Sequence, residues 1–449
     1  SALASRMLFG LFGEHQSAEG ASGDLGFWLG HDSFRAQQNF TGFLQRSRTL
    51  ERVAGRGDLI EQDNETLSFG LSGRFRTAPY RPHPWLHGRL ELGLEGRLDL
   101  TDQSQSLLDA SVRNQTWDRR VDASIRGMDL GAWGDLEARL TRRLQARLGL
   151  RADILSYAID DRLGNFAPAS RPADSFLIGF RRSALGLAWG PRASLRFALL
   201  ETLSLLAAYG EGYRSPQART LEDGEDAPFS KVRSADLGAR LELSPILHLS
   251  VGGYATFLSD DVAFDAAEGR LERIGATRRI GAVAHALSRP TDWLLASLSL
   301  TYVRATVEEP PPATAEEPQP PFERGQSVPF VPPLVVRADL GLRHAIWRQL
   351  GGAALEARAG LGFSFLSSRP LPYGEYADPL ALLDATLGLG WGPLELGLEL
   401  FNALDARYAA VEYDFPSSWD PEGPRSRLPT RHIAAGAPLS WTLHLGLNL

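Results

Sequence analysis

Side chains that could carry catalysis or bind a metal are scattered along this chain. The sequence has nine histidines and no cysteine, so a thiol nucleophile and a thiolate metal site are excluded. The histidines do not form an HExxH motif, and the acidic stretch at residues 222–226 lacks the ligand spacing of an EF-hand loop. An enzyme would need a nucleophile, a base and an acid close together, and no such group is recognisable. We therefore predict no catalytic centre and no bound metal or cofactor.

Two other classes of binding site are also disfavoured. The glycine-rich segments at residues 360–362 and 388–390 lie inside alternating runs with no helix after them, which argues against a phosphate-binding loop. The formal net charge of −7 argues against a partner made of nucleic acid, because proteins that bind nucleic acids normally carry a basic surface.

The elements that would position any site follow a two-residue alternation of apolar and polar side chains. In residues 439–449 every second position is leucine or tryptophan, which is the period of a β-strand with one apolar face. The same pattern, with charged residues on the polar face, recurs at residues 86–100, 144–153, 334–343, 355–363 and 394–400. About 17 such strands can be counted, which predicts an all-β fold. Alternation alone also fits a water-soluble sandwich.

The connections favour an antiparallel transmembrane β-barrel over a sandwich. Short turns and long loops should alternate in such a barrel, and only every second strand residue faces lipid. The mean hydropathy of −0.18 is compatible with that arrangement. Tight turns are predicted at residues 200–202, 244–245, 289–291 and 392–393, and long polar loops near 101–118, 159–180, 214–230, 307–331 and 405–435. Tryptophans that suggest an interfacial girdle are Trp85, Trp189, Trp293, Trp391 and Trp441.

Four segments then resemble the TonB-dependent outer-membrane receptor family. Residues 207–216 resemble its "YG.GFR.P" stretch, residues 274–281 its "N.G....G.E" element, residues 399–408 its "NLFD..Y" motif, and residues 436–438 the start of its final strand. Ile274 replaces the usual asparagine and no glutamate ends that element, and Leu449 replaces the usual terminal aromatic residue.

The resemblance implies a 22-stranded barrel with a plug inside it. Neither a plug nor a TonB box is recognised, so we expect residues 1–449 to be a single outer-membrane barrel domain that is incomplete at its N-terminus. A second chain could supply the plug and the missing strands. The implied location is the Gram-negative outer membrane, in contact with its lipid and lipopolysaccharide.

The function implied by the resemblance is energy-coupled uptake of a scarce small molecule, of the siderophore, haem, cobalamin or glycan class. The TonB–ExbB–ExbD complex would act through the plug. The alternative is a passive porin or substrate channel whose charged wall sets selectivity. Arginines at the extracellular end could hold an anionic ligand or could pair with the wall's own acids. Candidate ligand contacts are Tyr213, Arg214, Arg278, Arg279, Tyr373, Tyr376, Tyr413 and Trp419.

Overall fold

The structure is a computed structural model of the 449-residue chain. It describes residues 2–44, 57–83, 86–109, 112–163, 180–214, 229–243, 246–265, 270–311, 322–350, 352–420 and 428–447. None of the helices among these residues is both long and apolar enough to cross a membrane.

The described residues form β-strands joined by turns and loops, with one short 3-10 turn at Pro372–Gly374. The strands are β1 (Ala2–Gln16), β2 (Ser22–Gln38), β3 (Leu59–Arg76), β4 (Tyr80–His83), β5 (Leu86–Asp109), β6 (Gln115–Arg139), β7 (Leu144–Asp161), β8 (Phe180–Ala198), β9 (Leu203–Arg214), β10 (Ser230–Leu243), β11 (Leu247–Asp265), β12 (Arg270–Thr291), β13 (Leu294–Glu309), β14 (Leu334–Leu350), β15 (Ala353–Leu366), β16 (Arg369–Pro370), β17 (Tyr376–Ala377), β18 (Leu380–Trp391), β19 (Leu394–Phe401), β20 (Ala409–Pro416), β21 (Pro429–Ala435) and β22 (Ser440–Leu447).

One antiparallel sheet contains 18 of these strands, and each long strand pairs with its neighbour in sequence. β4 has only four residues and pairs with β5 beside the end of β3, which leaves 17 long strands, as the alternation predicts. Two small hairpins, β16–β17 and β20–β21, stand outside this sheet.

The predicted turns at residues 200–202 and 392–393 are confirmed, and residues 244–245 lie outside the described ranges. The turn predicted at residues 289–291 falls instead at 292–293, because Thr291 still pairs with Leu294. The loop predicted near residues 101–118 is wrong: β5 and β6 continue through most of it and pair there. Polar residues such as Gln103 and Ser104 occupy both faces of β5, which is possible where a strand extends beyond lipid and both faces meet water.

The sheet is rolled rather than flat. Phe40 follows β2 and Phe264 lies on β11, eight strands further along the sheet order. In a flat sheet that separation would be about 38 Å at about 4.8 Å per strand. The two rings are 6.1 Å apart, so the sheet must curve until these strands face each other. We call the end of the sheet where they meet the mouth; the tight turns lie at the opposite end.

Rolling gives the two faces different chemistry. On the outer face large apolar side chains are exposed, as at Leu94 (65%) and Leu187 (64%), which suits a surface in contact with lipid. On the inner face carboxylates are buried and paired with arginines. The Asp135 carboxylate accepts a 2.8 Å hydrogen bond from Nε of Arg192.

Tryptophans on the inner face lie over glycines of the neighbouring strand. Trp28 covers its register partner Gly70, and Trp133 covers its partner Gly93. A Cβ atom at either glycine would overlap the indole ring, so only glycine fits there. Such pairs help to fix the register of the strands.

The five predicted girdle tryptophans have different positions. Trp293 and Trp391 lie at tight turns, and Trp441 is the second residue of β22. Trp189 lies in the middle of β8, not near its end. Trp85 lies outside the described residues.

Candidate functional site

At the mouth, two arginines from different strands share one buried carboxylate. Asp261 on β11 is only 3% exposed. Its Oδ1 lies 3.3 Å from Nη1 of Arg214, and its Oδ2 accepts a 2.6 Å hydrogen bond from Nη2 of Arg279. Thr277 also donates its hydroxyl to Oδ2, at 2.9 Å. These contacts bring together the predicted residues Arg214 and Arg279.

A break in the strand register explains how Asp261 reaches this position. The pairing of β11 with β12 shifts between Leu258 and Asp261. An irregularity of this kind re-aims the side chains that follow it. Here it turns the carboxylate toward Thr277 and Arg279.

The group has an excess of positive charge, because two guanidinium groups face one carboxylate. The Arg214 side chain is 41% exposed and that of Arg279 is 24% exposed. Each guanidinium has five N–H donors, and its hydrogen bonds to the described residues use only some of them. The arrangement can therefore bind an anionic group from the mouth.

Arg278 does not join this group. Neighbouring residues of a strand point to opposite faces, and Nε of Arg278 lies 3.1 Å from Oε1 of Glu308. The two adjacent arginines are thus separated by the strand itself.

Tyr213 lies beside Arg214 at the end of β9. Its ring packs edge-on against Phe229 with a centroid distance of 5.1 Å. Its buried hydroxyl has no hydrogen-bond partner within the part of the chain that the structure describes. It borders a cavity of about 450 Å³, whose lining includes Arg97, Asp99, Asp129, Arg151, Asp153 and Arg214.

An aromatic cluster lies next to the arginine group. Tyr413 on β20 contacts Phe264 and Phe330 at centroid distances of 5.7 and 5.6 Å. Phe264 is three residues after Asp261 on β11. Phe415 lies 6.3 Å from Phe40. We call Phe40, Phe264, Phe330, Tyr413, Phe415 and His432 the mouth cluster.

Only Tyr413 of the mouth cluster is among the predicted residues. The cluster combines a segment after β2, the end of β11, a loop before β14 and the β20–β21 hairpin. No sequence periodicity relates positions so far apart in the chain. The sequence could indicate the cluster only through the aromatic residues that lie within predicted loops.

Backbone hydrogen bonds attach the segment after β20 to the segment after β2. The amide of Ser418 donates to the carbonyl of Thr41 at 3.0 Å, and the amide of Phe43 donates to the carbonyl of Ser418 at 2.7 Å. Gly42 has a φ of +72°, and a Cβ atom there would overlap the Ser418 carbonyl. This position therefore requires glycine both for its conformation and for the close approach.

Two titratable side chains of the β20–β21 hairpin are desolvated. Burial raises the pKa of the Asp414 carboxyl, and the negative charge of Glu375 raises it further. Burial lowers the pKa of the His432 imidazole. The imidazole stacks on Phe415 at 3.7 Å and its Nε2 lies 2.8 Å from Oγ of Ser417. Both pKa shifts are thus in the direction that disfavours the charged form.

The remaining candidates have exposed side chains near this hairpin. Tyr373, Tyr376 and Trp419 are 60%, 57% and 58% exposed. The segment that carries the two tyrosines is joined to the hairpin, because Arg431 lies 2.7 Å from Oδ2 of Asp378. These side chains border the mouth cluster without entering it.

No group of three or more potential metal-ligating side chains is found among the described residues. The acidic stretch at residues 222–226 lies outside them.

Comparisons with known proteins agree with this architecture. The family model described as TonB dependent receptor-like, beta-barrel, matches residues 9–403. No curated protein sequence is significantly similar to the chain.

Solved structures of similar fold include receptors and a transporter. The siderophore receptor PiuA from Acinetobacter baumannii has a TM-score of 0.71 at 12% identity, over 99% of this chain and 64% of its own. The ferric yersiniabactin uptake receptor FyuA from Yersinia pestis has a TM-score of 0.69 at 13% identity, over 99% and 61%. The unliganded ferric citrate transporter FecA has a TM-score of 0.69 at 15% identity, also over 99% and 61%.

The chain thus spans less than two thirds of the length of these receptors. The family match covers most of the chain, and both the family and the fold are those of transport proteins rather than enzymes. The outward apolar face and the inward charged face have the arrangement that an outer-membrane barrel requires. The chain belongs to the TonB-dependent receptor β-barrel family and is an outer-membrane barrel of Gram-negative type.

Proposed function

We propose that this chain forms the barrel of a receptor for energy-coupled uptake of an anionic, metal-chelating small molecule of the siderophore class. The observation that carries the proposal is the group formed by Arg214, Arg279 and Asp261 at the mouth. Its net positive charge faces the side from which an extracellular ligand would arrive. The solved receptors named above include proteins for a siderophore, ferric yersiniabactin and ferric citrate.

The mouth cluster would supply the second part of the binding surface. Aromatic rings offer large apolar faces, and those of Tyr413 and Phe264 adjoin the arginine group through β11. A ligand that carries both negative charge and flat apolar groups would contact both surfaces at once. Cobalamin and neutral glycans use this combination less fully, because glycans lack the charge and cobalamin is not a net anion.

Energy coupling is part of the same proposal. We expect the TonB–ExbB–ExbD complex to act through a plug, because the receptors of this fold are longer than the present chain. The plug could belong to the same gene product or to a second chain. Nothing in the comparisons favours the alternative of a passive porin.

The proposal is tested with the full-length gene product in a Gram-negative strain that lacks its own ferric siderophore receptors. Uptake of a panel of ⁵⁵Fe-loaded anionic siderophores is measured below saturation. Replacing both Arg214 and Arg279 by alanine should reduce uptake at least about tenfold, since each charge-assisted hydrogen bond contributes about 1.5–3 kcal/mol. The matched control is Arg343→Ala, an inner-face arginine near the opposite end that pairs with Glu356 at 2.7 Å.

Two outcomes would contradict the proposal. One is uptake by the double variant at the wild-type rate. The other is uptake that persists in a strain without TonB, or a large steady conductance of the full-length protein in planar bilayers. The last result would identify an open channel instead of a receptor.

A further inference from the structure

Arginines also occupy the outer face of the barrel near the mouth, where the proposed uptake gives them no role. Arg304 on β13 is exposed, whereas its chain neighbours Val303 and Ala305 are buried (9% and 6% exposed) on the inner face. Because strand residues alternate between faces, the Arg304 side chain points outward. Its register partner is Ile280, which is itself exposed.

Two more arginines lie on the same outer face. Arg233 on β10 pairs in register with Phe257, and Phe257 pairs with Arg278 on β12. Arg233 and Arg278 are therefore two strands, or about 10 Å, apart. Arg278 is paired with Thr306, so Arg304 is its diagonal neighbour at about 7–8 Å. We call Arg233, Arg278 and Arg304 the outer arginine patch.

The charge of this surface is not balanced by the protein. Arg304 has no ion pair in the described ranges. Arg233 lies 3.6 Å from Glu211, which also contacts Lys231 at 2.5 Å, and Arg278 lies 3.1 Å from Glu308. Four cations, counting Lys231, thus face two carboxylates, which leaves a net charge of +2.

The surroundings indicate what compensates this charge. Between the outer arginine patch and the tight turns, the same outer face carries the apolar side chains of Leu237, Tyr302 and Val251, which are 70%, 50% and 47% exposed. An arginine is tolerated on the lipid-facing surface of a barrel near the membrane interface and disfavoured at its midplane. The patch therefore marks the height at which acyl chains give way to headgroups.

We propose that the outer arginine patch binds the phosphate groups of an anionic lipid in the outer leaflet, with diphosphorylated lipid A as the partner that fits. Guanidinium groups pair with phosphate through two parallel N–H donors. Arg278 lies within about 10 Å of each of the other two, so the patch can contact the phosphates of one headgroup while its acyl chains lie along Leu237 and Tyr302. The inference needs only the outer-membrane location and does not depend on which molecule is transported.

The test uses the full-length protein in nanodiscs of zwitterionic lipid, titrated with diphosphoryl lipid A or with lipid A from which both phosphates have been removed. Binding is followed as the shift in thermal unfolding temperature. Arg304→Ala should weaken binding of diphosphoryl lipid A about tenfold or more, the equivalent of one lost charge-assisted contact. Arg304→Lys should restore part of the loss because it keeps the charge.

Arg142→Ala is the matched control, because Arg142 is an exposed arginine in a turn at the opposite end of the barrel; it should bind as the wild type does. Heat-modifiable migration in gels verifies that each variant is folded. Binding of Arg304→Ala within twofold of the wild type would overturn the proposal. So would equal binding of the dephosphorylated lipid, or full competition by millimolar inorganic phosphate.

A failure here would leave the uptake proposal intact. Arg214 and Arg279 are on the inner side of the mouth, so their replacement should reduce uptake without changing the lipid titration. Loss of lipid binding in that double variant would contradict the separation of the two surfaces.

Discussion

Gly93→Ala is the sharpest test of the inner wall. Gly93 on β5 is covered by the indole of its register partner Trp133, and an added Cβ atom would overlap that ring. The Arg192 guanidinium, which donates to Asp135, also lies against this ring, 5.4 Å from its centroid. The substitution must therefore displace the indole within a packed group of side chains.

The expected cost follows from two opposing effects. Overpacking a well-packed site costs about 1–3 kcal/mol. Replacing a strand glycine by alanine recovers about 0.5–1 kcal/mol of backbone entropy. The free energy of unfolding should therefore fall by up to about 2.5 kcal/mol.

The same strand provides the matched control. Gly88 on β5 has no heavy atom within 4 Å of a Cβ atom built on it. Gly88→Ala should therefore be neutral or stabilising by up to about 1 kcal/mol. In a Trp133→Ala background the overlapping indole is absent. Adding Gly93→Ala there should change the free energy of unfolding about as much as Gly88→Ala does in the wild type.

Urea unfolding of the lipid-reconstituted protein, followed by gel migration of unheated samples, measures these differences. Gel migration is preferable to fluorescence because Trp133 itself is altered in the double variant. Equal stability of the Gly93→Ala and Gly88→Ala variants would refute the packing argument. A destabilisation that persists unchanged without Trp133 would place its cause elsewhere.

Three further predictions concern the mouth. Asp261→Asn removes the carboxylate that Arg214 and Arg279 share. For a ligand anion about 6 Å away, the relieved repulsion is about 0.7–2.8 kcal/mol at effective dielectric constants of 80 to 20. Uptake below saturation should therefore rise about threefold or more, and a fall would contradict the charge argument. Acidification from pH 7 through the ordinary imidazole value of 6.5 should loosen the β20–β21 hairpin, because the lowered pKa of His432 means that the unfolded form takes up the proton first. Asp414 acts in the opposite direction, because its raised pKa stabilises the closed hairpin as pH falls. Amide exchange in residues 409–416 that is faster at pH 6, but not in His432→Gln, would assign the loosening of the hairpin to His432. Exchange that does not change with pH would exclude this loosening. Gly42→Ala should speed exchange of the same amides at every pH, because it breaks the attachment to Ser418; exchange at the wild-type rate would show that this attachment is not needed.

The strands could be predicted because a two-residue period repeats within each of them. Leu94 and Leu187 are exposed on one face, and Asp135 is buried on the other, as the alternation requires. The alternation of apolar and polar residues ends where a strand extends beyond the lipid. Gln103 and Ser104 are polar on both faces, so their segment resembles a loop although it is strand in the structure.

The candidate site could be predicted only in part. Tyr213 and Arg214 belong to a recognisable motif, and their position at the end of a strand can be predicted from the sequence. The partnership of Arg214 with Arg279 depends on a register shift near Asp261. The mouth cluster depends on rolling of the sheet, which brings Phe40 to Phe264. Neither a register shift nor a closing curvature leaves a local pattern in the chain.

Arg278 and Arg279 show how one strand can serve two surfaces. The alternation that hides leucines from water also sends these neighbouring arginines to opposite sides of a wall one residue thick. Arg279 pairs with Asp261 inside the mouth, and Arg278 pairs with Glu308 on the outside. Arg279→Ala should therefore reduce ligand uptake with unchanged lipid A binding, whereas Arg278→Ala should weaken lipid A binding with little effect on capture of ligand. If both substitutions produced the same phenotype, the assignment of faces to β12 would be wrong, and with it the distinction between the mouth and the outer arginine patch.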